Sequence, residues 1–447
     1  MKKPNTNPNQ QQKSRRDFCK NTALFTGASL VLPSMSMNAM VNVANDKKLK
    51  LAVVGCGGRG TGATNQALRA DENVELVAMA DAFEDRLNSS LSYLQKEFEG
   101  TKKINVKDKH KFVGFDAAQK AIDMADVVIL ATPPGFRPQH FEYAVNAGKH
   151  VFMEKPVATD VPGIKKVLAA AKVAKEKKLN VVVGLQRHYQ NNYLEVAKRI
   201  EAGEVGKIMS GQVYWNNDGV WVRERQPGQS ELEYQMRNWY YFTWLCGDHI
   251  LEQHIHNIDI ANWFVGEYPI SAQGMGGRQV RTGKEYGEIF DHHFVEFTYP
   301  SGAVIASQCR HQPGTMSRVG ESFQGTKASI EMNDAGAAYI RDLEGNDVFK
   351  YRGKGDPNPY QVEHDKLFAS IRSGGVISDA ENGAKSTMTA IMGRMATYSG
   401  KVIKWDEAMQ SELALVPNNL TWNSKAPVQP DAEGWYTIPT PGKTVVM

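Results

Sequence analysis

The sequence is poor in cysteine and has no long apolar run. Its 447 residues include four cysteines, too few and too scattered for a disulfide scaffold or a C-x-x-C metal site: Cys19, Cys56, Cys246 and Cys309. The apolar run at 22–32 has 11 residues, whereas a membrane-spanning helix needs about 20. Collagen-like, disordered and polytopic membrane classes are therefore excluded, and the length predicts two domains with proper cores.

The main part of the sequence also lacks a basic excess. The formal net charge of +4 comes from 53 basic and 49 acidic residues. Residues 1–44 contain six of the basic residues and one of the acidic ones, which leaves 47 basic and 48 acidic residues for 45–447. This balance predicts no nucleic-acid partner, because binding to phosphates requires a basic surface.

Residues 1–44 have the layout of an export signal. Arg15 and Arg16 precede the short apolar run, and small and polar residues follow it. The paired arginines resemble a twin-arginine signal, with Cys19 where leucine is commoner. That export machinery carries folded proteins, so the segment predicts a periplasmic protein that takes up any cofactor before export. An amphipathic or disordered N-terminal tail is the alternative.

A glycine-rich turn follows the first strand pattern. The mostly apolar residues 49–54 lead directly into Gly55, Gly57 and Gly60, which match G-x-G-x-x-G. Glycines at these positions permit a tight turn, a close backbone approach to a pyrophosphate and close packing of helix on strand. The pyrophosphate binds at the N-terminus of the following helix, where free N–H groups favour anions.

An acidic residue ends the second strand pattern. Residues 74–80 lead into Asp81, 21 residues after Gly60. A carboxylate there accepts hydrogen bonds from ribose hydroxyls and repels a 2′-phosphate, so the sequence predicts NAD rather than NADP. A glycine turn with an ordinary helix-capping aspartate is the alternative.

Strand patterns alternate with helix patterns in the first part of the chain. Buried parallel strands are predicted at 126–131, 150–153 and 180–184. Helices are predicted between them, at 139–147 and 161–178. This rhythm predicts an α/β fold with a doubly wound parallel sheet, that is, a Rossmann domain over 45–180.

Short motifs in a fixed order give the sequence a family resemblance. After the glycine turn and Asp81 they are Thr132-Pro133, Glu154-Lys155-Pro156, Gly203-Glu204-Val205-Gly206-Lys207-Ile208, His256-Asn257-Ile258-Asp259 and Gly393-Arg394-Met395-Ala396. The ordered set resembles the Gfo/Idh/MocA family, the glucose–fructose oxidoreductase and inositol dehydrogenase group. The resemblance implies a second, α+β domain over 181–400 with a large open, mostly antiparallel sheet, whose face commonly forms a homo-oligomer interface. Residues 401–447 are expected to form a tail over the surface or a neighbouring subunit.

The resemblance also implies three catalytic residues. In the family, the lysine of E-K-P lies near the nicotinamide and the substrate, and a helix supplies D-x-x-x-H. Here Lys155 matches the lysine, Glu252 stands in place of the aspartate, and His256 matches the histidine. Their i, i+4 spacing predicts Glu252 and His256 on one face of one helix.

Each of these residues has an expected role in oxidising an alcohol. His256 is expected to accept the hydroxyl proton, Lys155 to stabilise the developing alkoxide, and Glu252 to orient His256 or accept a proton from it. A surface lysine, a packing histidine and a solvent-facing glutamate are the alternatives.

Further residues are assigned to ligand binding. The predicted cofactor-binding set is Gly55, Gly57, Gly58, Arg59, Gly60, Asp81, Thr132, Pro134, His140, Glu154, Lys155 and Gln186. Arg187 and Trp239 are predicted to bind substrate, Arg187 through sugar hydroxyls. The aromatic stretch 237–244 fits sugar stacking and an aromatic core equally well.

No metal site is predicted. Asp248, His249, His254 and His256 are close in sequence. On a helix, however, His254 and His256 point about 200° apart and cannot bind one ion unless the helix unwinds.

Together these patterns predict an NAD-dependent oxidoreductase acting on a secondary hydroxyl of a sugar or glycoside. Because an exported enzyme meets little free dinucleotide, the cofactor is expected to be held tightly and restored in each cycle. One alternative is a redox-neutral, NAD-dependent glycosidase that oxidises, eliminates, hydrates and re-reduces; comparable family members usually lack a clear E-K-P. The other alternative is a sugar-binding or sensing protein without turnover.

Overall fold

Two sheets organise the part of the chain that the structure describes. The structure is a computed structural model that describes residues 47–447, so the predicted export signal lies outside the described residues. A six-stranded sheet is followed along the chain by a nine-stranded one. Within 47–447, no helix is long and apolar enough to cross a membrane.

The six-stranded sheet is parallel throughout and confirms the predicted Rossmann fold. Its strands are β1 (Leu49–Val54), β2 (Val74–Asp81), β3 (Lys111–Val113), β4 (Val127–Leu130), β5 (His150–Met153) and β6 (Val181–Val183). Their spatial order is β3-β2-β1-β4-β5-β6. The order reverses between β1 and β4, and the carboxyl ends of the strands at such a switch point form the usual ligand crevice.

Helices cover both faces of this sheet. They are α1 (Gly58–Ala70), α2 (Glu84–Glu97), α3 (Ala117–Asp123), α4 (Arg137–Asn146), α5 (Val161–Glu176) and α6 (Asn191–Glu201). The first turn of α5 shows the local sequence logic: Asp160 Oδ1 accepts a hydrogen bond from Gly163 N (2.8 Å), and Pro162 lies at a position that needs no N–H donor. The strands between the helices are almost fully buried, as their continuous apolar runs predict.

The second sheet forms the frame of the second domain. Its strands are β7 (Ile208–Asn217), β8 (Ser271–Gly277), β9 (His292–Thr298), β10 (Val304–His311), β11 (Arg318–Gly325), β12 (Ala328–Asn333), β13 (Ala338–Asp342), β14 (Asp347–Tyr351) and β15 (Ile403–Lys404). The order is β14-β13-β12-β11-β7-β10-β9-β8-β15, and every pair is antiparallel except β7 with β10. Burial alternates along β9 and β10, so one face of the sheet lies against the core.

The remaining helices belong to the second half of the chain. They are α7 (Glu231–Arg237), α8 (Thr243–Cys246), α9 (His249–Glu252), α10 (Ile255–Val265), α11 (Pro359–Ser373), α12 (Ala380–Ser399) and α13 (Trp405–Ala408). All residues of α10 and most of α12 are buried, because these helices are packed between the large sheet and the Rossmann domain. The late helices predicted at 361–371 and 383–398 lie inside α11 and α12.

Helix α11 returns to the Rossmann domain. Its Leu367 and Phe368 pack in the same apolar cluster as β1. Arg372 forms a two-pronged ion pair with Asp71 (2.7 and 2.9 Å) at the end of α1. The chain after β14 therefore fastens the two domains together rather than serving the second one alone.

The last residues cross both domains as an extended tail. Residues 409–447 contain no helix or strand. Leu415 N donates to Asp160 Oδ2 (2.7 Å) on the first domain, and Gln235 Nε2 donates to Val428 O (2.5 Å) from the second. The tail thus wraps the surface of its own chain.

Candidate functional site

The glycine turn between β1 and α1 uses each of its three motif glycines differently. Gly55 has φ +97°, and a Cβ there would lie 2.5 Å from the Ala131 backbone. A Cβ on Gly60 would lie 1.8 Å from Gly55 O, so helix and strand approach too closely for any side chain. A Cβ on Gly57 would meet nothing within 4 Å, because this glycine faces open space. These are the roles that a pyrophosphate-binding turn requires.

The open space is a cavity of about 340 Å³ at the carboxyl ends of β1, β2 and β4. It is lined by most of the predicted cofactor-binding residues: Gly55, Gly57, Gly58, Arg59, Gly60, Asp81, Thr132 and His140. Pro133 lines it where Pro134 was predicted, and Pro134 is buried beside it. Glu154, Lys155 and Gln186 lie outside this lining. A glycine cradle ending at a helix N-terminus fits a dinucleotide.

Asp81 lies at the cavity wall with its carboxylate held by the backbone. It accepts hydrogen bonds from Cys56 N (2.6 Å) and Phe83 N (2.9 Å). Burial raises the pKa of the Asp81 carboxyl, against these two hydrogen bonds that lower it. The bonds fix the carboxylate where it can accept hydrogen bonds from the ribose hydroxyls of NAD.

His140 and Arg137 form a buried layer beneath Thr132. Burial, with Arg137 second, lowers the pKa of His140 to about 3, so this ring is neutral. Its Nδ1 lies 3.3 Å from Thr132 Oγ1. The guanidinium of Arg137 donates to Thr132 O and to Pro156 O, which joins the cavity to the E-K-P loop. Sequence reasoning missed Arg137, because no motif identifies it.

The second domain closes the adenosine end of the cavity. The lining there includes Trp221, Arg223, Met236, Arg237 and Trp239. Trp239, predicted to contact substrate, thus lies in the wall of the cofactor cavity. The aromatic stretch was the only sequence signal for this wall.

Contacts across the domains hold this wall in place. Arg237 makes two hydrogen bonds to Asp85 (both 3.1 Å) and lies 3.9 Å from the centre of the Phe83 ring. Trp422 of the tail packs on the rings of Phe83 (5.3 Å) and Phe115 (4.7 Å). A ligand at the adenosine end would be covered by two chain segments that are remote in sequence.

Lys155 and Glu252 form the centre of the predicted catalytic set. Lys155 Nζ donates to Glu252 O (2.5 Å) and lies 3.0 Å from Glu252 Oε2. The Lys155-Pro156 peptide is cis. Side-chain exposures of 12% and 13% leave both groups reachable from the site. Burial raises the pKa of Glu252, and the Lys155 ammonium opposes that shift.

His256 lies beside this pair as a neutral base. Burial and then the Lys155 charge lower the pKa of His256 well below its usual range. Its ring stacks on Trp215 at 5.8 Å, and within residues 47–447 its Nδ1 has no hydrogen-bond partner. The ring is therefore neutral, which is the form of histidine that can accept a proton.

The prediction that Glu252 and His256 lie on one helix is wrong. Helix α9 ends at Glu252 and α10 begins at Ile255, with a turn at Gln253 and His254 between them. His254 points inward, and its Nε2 lies 2.8 Å from Ser307 Oγ of β10. This tertiary contact accompanies the break, so the i, i+4 face does not apply and the large sheet sets the position of His256.

Glu154 links the catalytic loop to the glycine turn. It forms an ion pair with Arg59, which also pairs with Glu363 of α11 at 3.2 Å. A Cβ on Gly184 would lie 2.8 Å from Glu154 Oε2, so that glycine makes room for the carboxylate. Glu154, the residue next to Lys155, is thereby held against the glycine turn that lines the cofactor cavity.

Arg187 and Gln186 lie behind the catalytic set. The Arg187 guanidinium pairs with Glu321, whose carboxylate also accepts from Tyr193 Oη (3.0 Å) and Asn257 Nδ2 (2.6 Å). Arg187 is 3% exposed, so this network occupies it, and its contact with sugar hydroxyls stays a prediction. Gln186 is buried in the short 3-10 turn that precedes α6.

Tyr240 is a further residue that sequence reasoning did not single out. It is 2% exposed, and its hydroxyl has no hydrogen-bond partner among the described residues. Burial raises its pKa well above the usual range, and Glu252 contributes next. The hydroxyl is therefore a protonated donor near the catalytic carboxylate.

Comparisons with known proteins agree with this geometry. Residues 49–185 match the model "Oxidoreductase family, NAD-binding Rossmann fold", and residues 193–331 match "GFO/IDH/MocA C-terminal domain". An inositol 2-dehydrogenase of Rhizobium meliloti is 24% identical over 71% of this chain and 87% of its own. A 2,7-anhydro-N-acetylneuraminate hydratase of Escherichia coli is 26% identical over 47% of this chain and 52% of its own.

A solved structure supports the fold over most of the chain. The crystal structure of an aldose-aldose oxidoreductase from Caulobacter crescentus matches with a TM-score of 0.63 and 20% identity, covering 80% of this chain and all of the other. The two family models together span both domains and most of the described residues. The chain therefore belongs to the Gfo/Idh/MocA family of NAD-binding oxidoreductases.

Proposed function

We propose that this oxidoreductase acts with NAD on a secondary hydroxyl of a sugar or glycoside. The observation that carries the proposal is the ion pair of Lys155 with Glu252 beside a neutral His256. The inositol 2-dehydrogenase among the relatives supports a polyol or sugar as the substrate class.

The three side chains divide the work of alcohol oxidation. Bound NAD supplies the hydride acceptor. His256, neutral in the fold, accepts the hydroxyl proton. Lys155 donates to the oxygen as negative charge develops there, and Glu252 holds the ammonium in place.

Retention of the cofactor is part of the proposal. Arg237 and Trp422 belong to segments that cover the adenosine end of the cavity, which supports slow release of the dinucleotide. The twin-arginine-like pattern at Arg15 and Arg16 supports export to the periplasm after folding. An exported enzyme that keeps its cofactor must restore it within each cycle, by reducing a second carbonyl compound or its own intermediate.

A redox-neutral glycosidase is the second candidate. The hydratase among the relatives favours it, because addition of water is one step of such a cycle. Oxidation of a ring hydroxyl, for which C3 is the chemically useful position, acidifies the neighbouring C–H. Glu252 or His256 would remove that proton as the C1 substituent leaves, water would then add, and the ketone would be reduced back. Lys155 in an intact E-K-P favours net oxidation instead. A sugar-binding protein without turnover has less support, since Lys155 and His256 both match the family's motifs.

A homo-oligomer is the proposed assembly. The nine-stranded sheet has exposed apolar side chains on its strands, among them Met209 and Met275. Burying such a sheet face in a symmetric contact removes this apolar area from water. Light scattering of the purified protein measures the assembly directly, and a monomer at micromolar concentration contradicts it.

Spectroscopy of the purified protein tests the cofactor claim. We expect about one nicotinamide dinucleotide per chain after gentle purification without added NAD. A protein that is fully folded but free of nucleotide, and that regains it only weakly, contradicts tight retention.

A glycoside panel then separates the candidate activities. Net oxidation accumulates reduced nicotinamide and a keto sugar, whereas redox-neutral hydrolysis releases the aglycone while the cofactor returns to its starting state. If no glycoside, sugar or polyol changes the nicotinamide absorbance or is consumed, both enzymatic proposals fail.

A further inference from the structure

A group of polar side chains outside the cofactor cavity is completely buried next to α9. It consists of Asp248, His249 and His293, and one ligand atom from each lies within 4.8 Å of the others. Asp248 and His249 come from the start of α9, whereas His293 belongs to β9. All three side chains have 0% exposure. Buried polar groups require partners, so their hydrogen bonds decide what this group can do.

The hydrogen bonds around His293 assign its tautomer. Its Nδ1 lies 2.9 Å from Thr397 Oγ1. The Thr397 hydroxyl donates its own proton to Arg394 O (3.1 Å), so its oxygen must accept from His293. Nδ1 therefore bears the hydrogen, and Nε2 presents a lone pair.

That lone pair faces a carboxylate. His293 Nε2 lies 3.2 Å from Asp248 Oδ2 and has no hydrogen-bond partner in the described part of the chain. Asp248 Oδ2 already accepts from Phe290 N (3.1 Å) and Tyr398 Oη (2.5 Å). Two acceptor atoms at this distance repel each other unless a positive centre lies between them.

His249 contributes a second free nitrogen. Neither of its ring nitrogens has a partner within residues 47–447. Nε2 lies 3.9 Å from Asp248 Oδ1, and the ring lies edge-on to that of His293 at 4.8 Å. A ring nitrogen without a hydrogen-bond partner can offer its lone pair to a metal ion.

The backbone of Asp248 has an unusual conformation. Its φ is +80° and ψ is 161°, a region that residues other than glycine rarely adopt. This conformation brings the carboxylate between the two imidazoles. Strain of this kind persists where surrounding interactions require the geometry.

We propose that Asp248, His249 and His293 bind a divalent transition-metal ion of the zinc type. Zinc takes nitrogen and carboxylate-oxygen ligands at about 2.0–2.2 Å, which places two ligand atoms of a tetrahedral site roughly 3.3–3.6 Å apart. The 3.2 Å between Asp248 Oδ2 and His293 Nε2 is close to this separation, and His249 Nε2, 3.9 Å from Asp248 Oδ1, would move closer on binding. The Thr397 hydroxyl is the outer partner that orients a metal-binding histidine.

The ion would position the catalytic carboxylate rather than react with substrate. The three ligands are fully buried, and α9 leads from His249 to Glu252 within one turn. Binding to His293 fastens this turn to β9, and Glu252 at its end pairs with Lys155. The ion would therefore hold the frame of the site, whichever reaction the enzyme performs. The proposed ligands include neither His254 nor His256, the two histidines whose helical spacing argued against a shared ion.

Metal titration of the full chain tests the proposal. The protein is stripped with a chelator, its fold is checked by circular dichroism, and Co²⁺ and then Zn²⁺ are added alone. We expect one tight equivalent per chain, visible absorption bands of four-coordinate Co²⁺ with nitrogen and oxygen ligands, and loss of those bands when Zn²⁺ replaces it. A folded protein that binds no stoichiometric ion overturns the proposal.

Variants locate the site. Asp248→Asn and His293→Gln are expected to abolish stoichiometric binding, and Thr397→Val, which keeps the side-chain shape, to weaken it by roughly 10- to 100-fold. His364→Gln is the matched control, because His364 is equally buried and lies outside the group. If the two single variants Thr397→Val and His293→Gln both bind the metal ion with unchanged affinity, the assignment is overturned, since the ion then binds elsewhere.

Discussion

The cofactor cavity and the catalytic site are assembled from the chain in different ways. Gly55, Asp81 and Thr132 all follow strands of one parallel sheet, and the sequential order of those strands brings them together. Lys155 and Glu252 are 97 positions apart and come from different domains. The first site depends on local motifs, and the second depends on how the large sheet docks on the Rossmann domain.

Replacement of Lys155 by methionine is expected to distinguish the two sites most clearly. Turnover is expected to fall by about 10²–10⁴-fold, because the donor to the developing oxyanion is lost, while NAD binding is retained. Steady-state rates and fluorescence titration with NADH measure the two effects. Lys166→Met is the control, since that lysine is exposed and pairs with Glu142 on the outer helices. Equal loss of cofactor binding and turnover in Lys155→Met would contradict the separation of the sites.

Two glycine substitutions divide the cofactor half. In Gly60→Ala the new Cβ would meet Gly55 O at 1.8 Å, so we expect a loss of about 1–3 kcal/mol in the free energy of unfolding or more. In Gly57→Ala the Cβ projects into open space, so stability is expected to be nearly unchanged while NAD affinity falls. Urea denaturation and NADH titration give both quantities. Matching stability losses in the two variants would contradict the assigned roles.

Removal of the Arg237 side chain tests the wall that joins the halves. Arg237→Ala loses the two hydrogen bonds to Asp85, and NADH release is expected to become faster by roughly tenfold, equivalent to about 1.4 kcal/mol. Stopped-flow displacement measures the rate. Arg225→Ala is the control, because Arg225 pairs with Glu231 away from the cavity lining. An unchanged release rate would mean that the wall does not retain the dinucleotide.

The smallest expected effect is a change in pH dependence. Burial lowers the pKa of His254 to about 3, so below the ordinary value of 6.5 the unfolded chain binds a proton that the folded chain does not. His254 therefore lowers the free energy of unfolding as pH falls from about 6.5 towards 3, by about 1.4 kcal/mol per pH unit. The variant His254→Gln should lose this contribution between pH 6 and pH 5.

Urea denaturation at three pH values gives the slope for each protein. His110→Gln is the comparison variant, since it removes an imidazole from a half-exposed turn of the first domain. A wild-type slope that is preserved in His254→Gln would show that this histidine is not held neutral in the fold.

Much of the cofactor half followed from local patterns. The strands at β1, β4 and β5 and the glycine turn lie where apolar runs and the motif predict them. Asp81 and Thr132 line the cavity because each stands at the carboxyl end of a parallel strand. Arg237, which lines the cavity, and Trp422, which packs on the lining residues Phe83 and Phe115, have no such signal, because their positions depend on contacts between distant segments.

The catalytic half was predictable in residue identity and not in geometry. Lys155, Glu252 and His256 were identified by resemblance, and the structure brings Lys155 to Glu252. The helix expected to hold Glu252 and His256 is broken at Gln253, beside the inward-pointing His254, which contacts Ser307 of β10. No sequence motif indicated His293, because 44 positions separate it from His249.

The Rossmann fold and the dinucleotide turn follow from the sequence alone, because strand periodicity and glycine chemistry are local properties, and the family's short motifs predict Lys155, Glu252 and His256 as catalytic. The wall over the cofactor cavity, the ion pair of Lys155 with Glu252 and the grouping of Asp248 with His249 and His293 arise only in the folded chain. These features depend on burial and on lone pairs brought together across domains, and burial is a property of the whole fold.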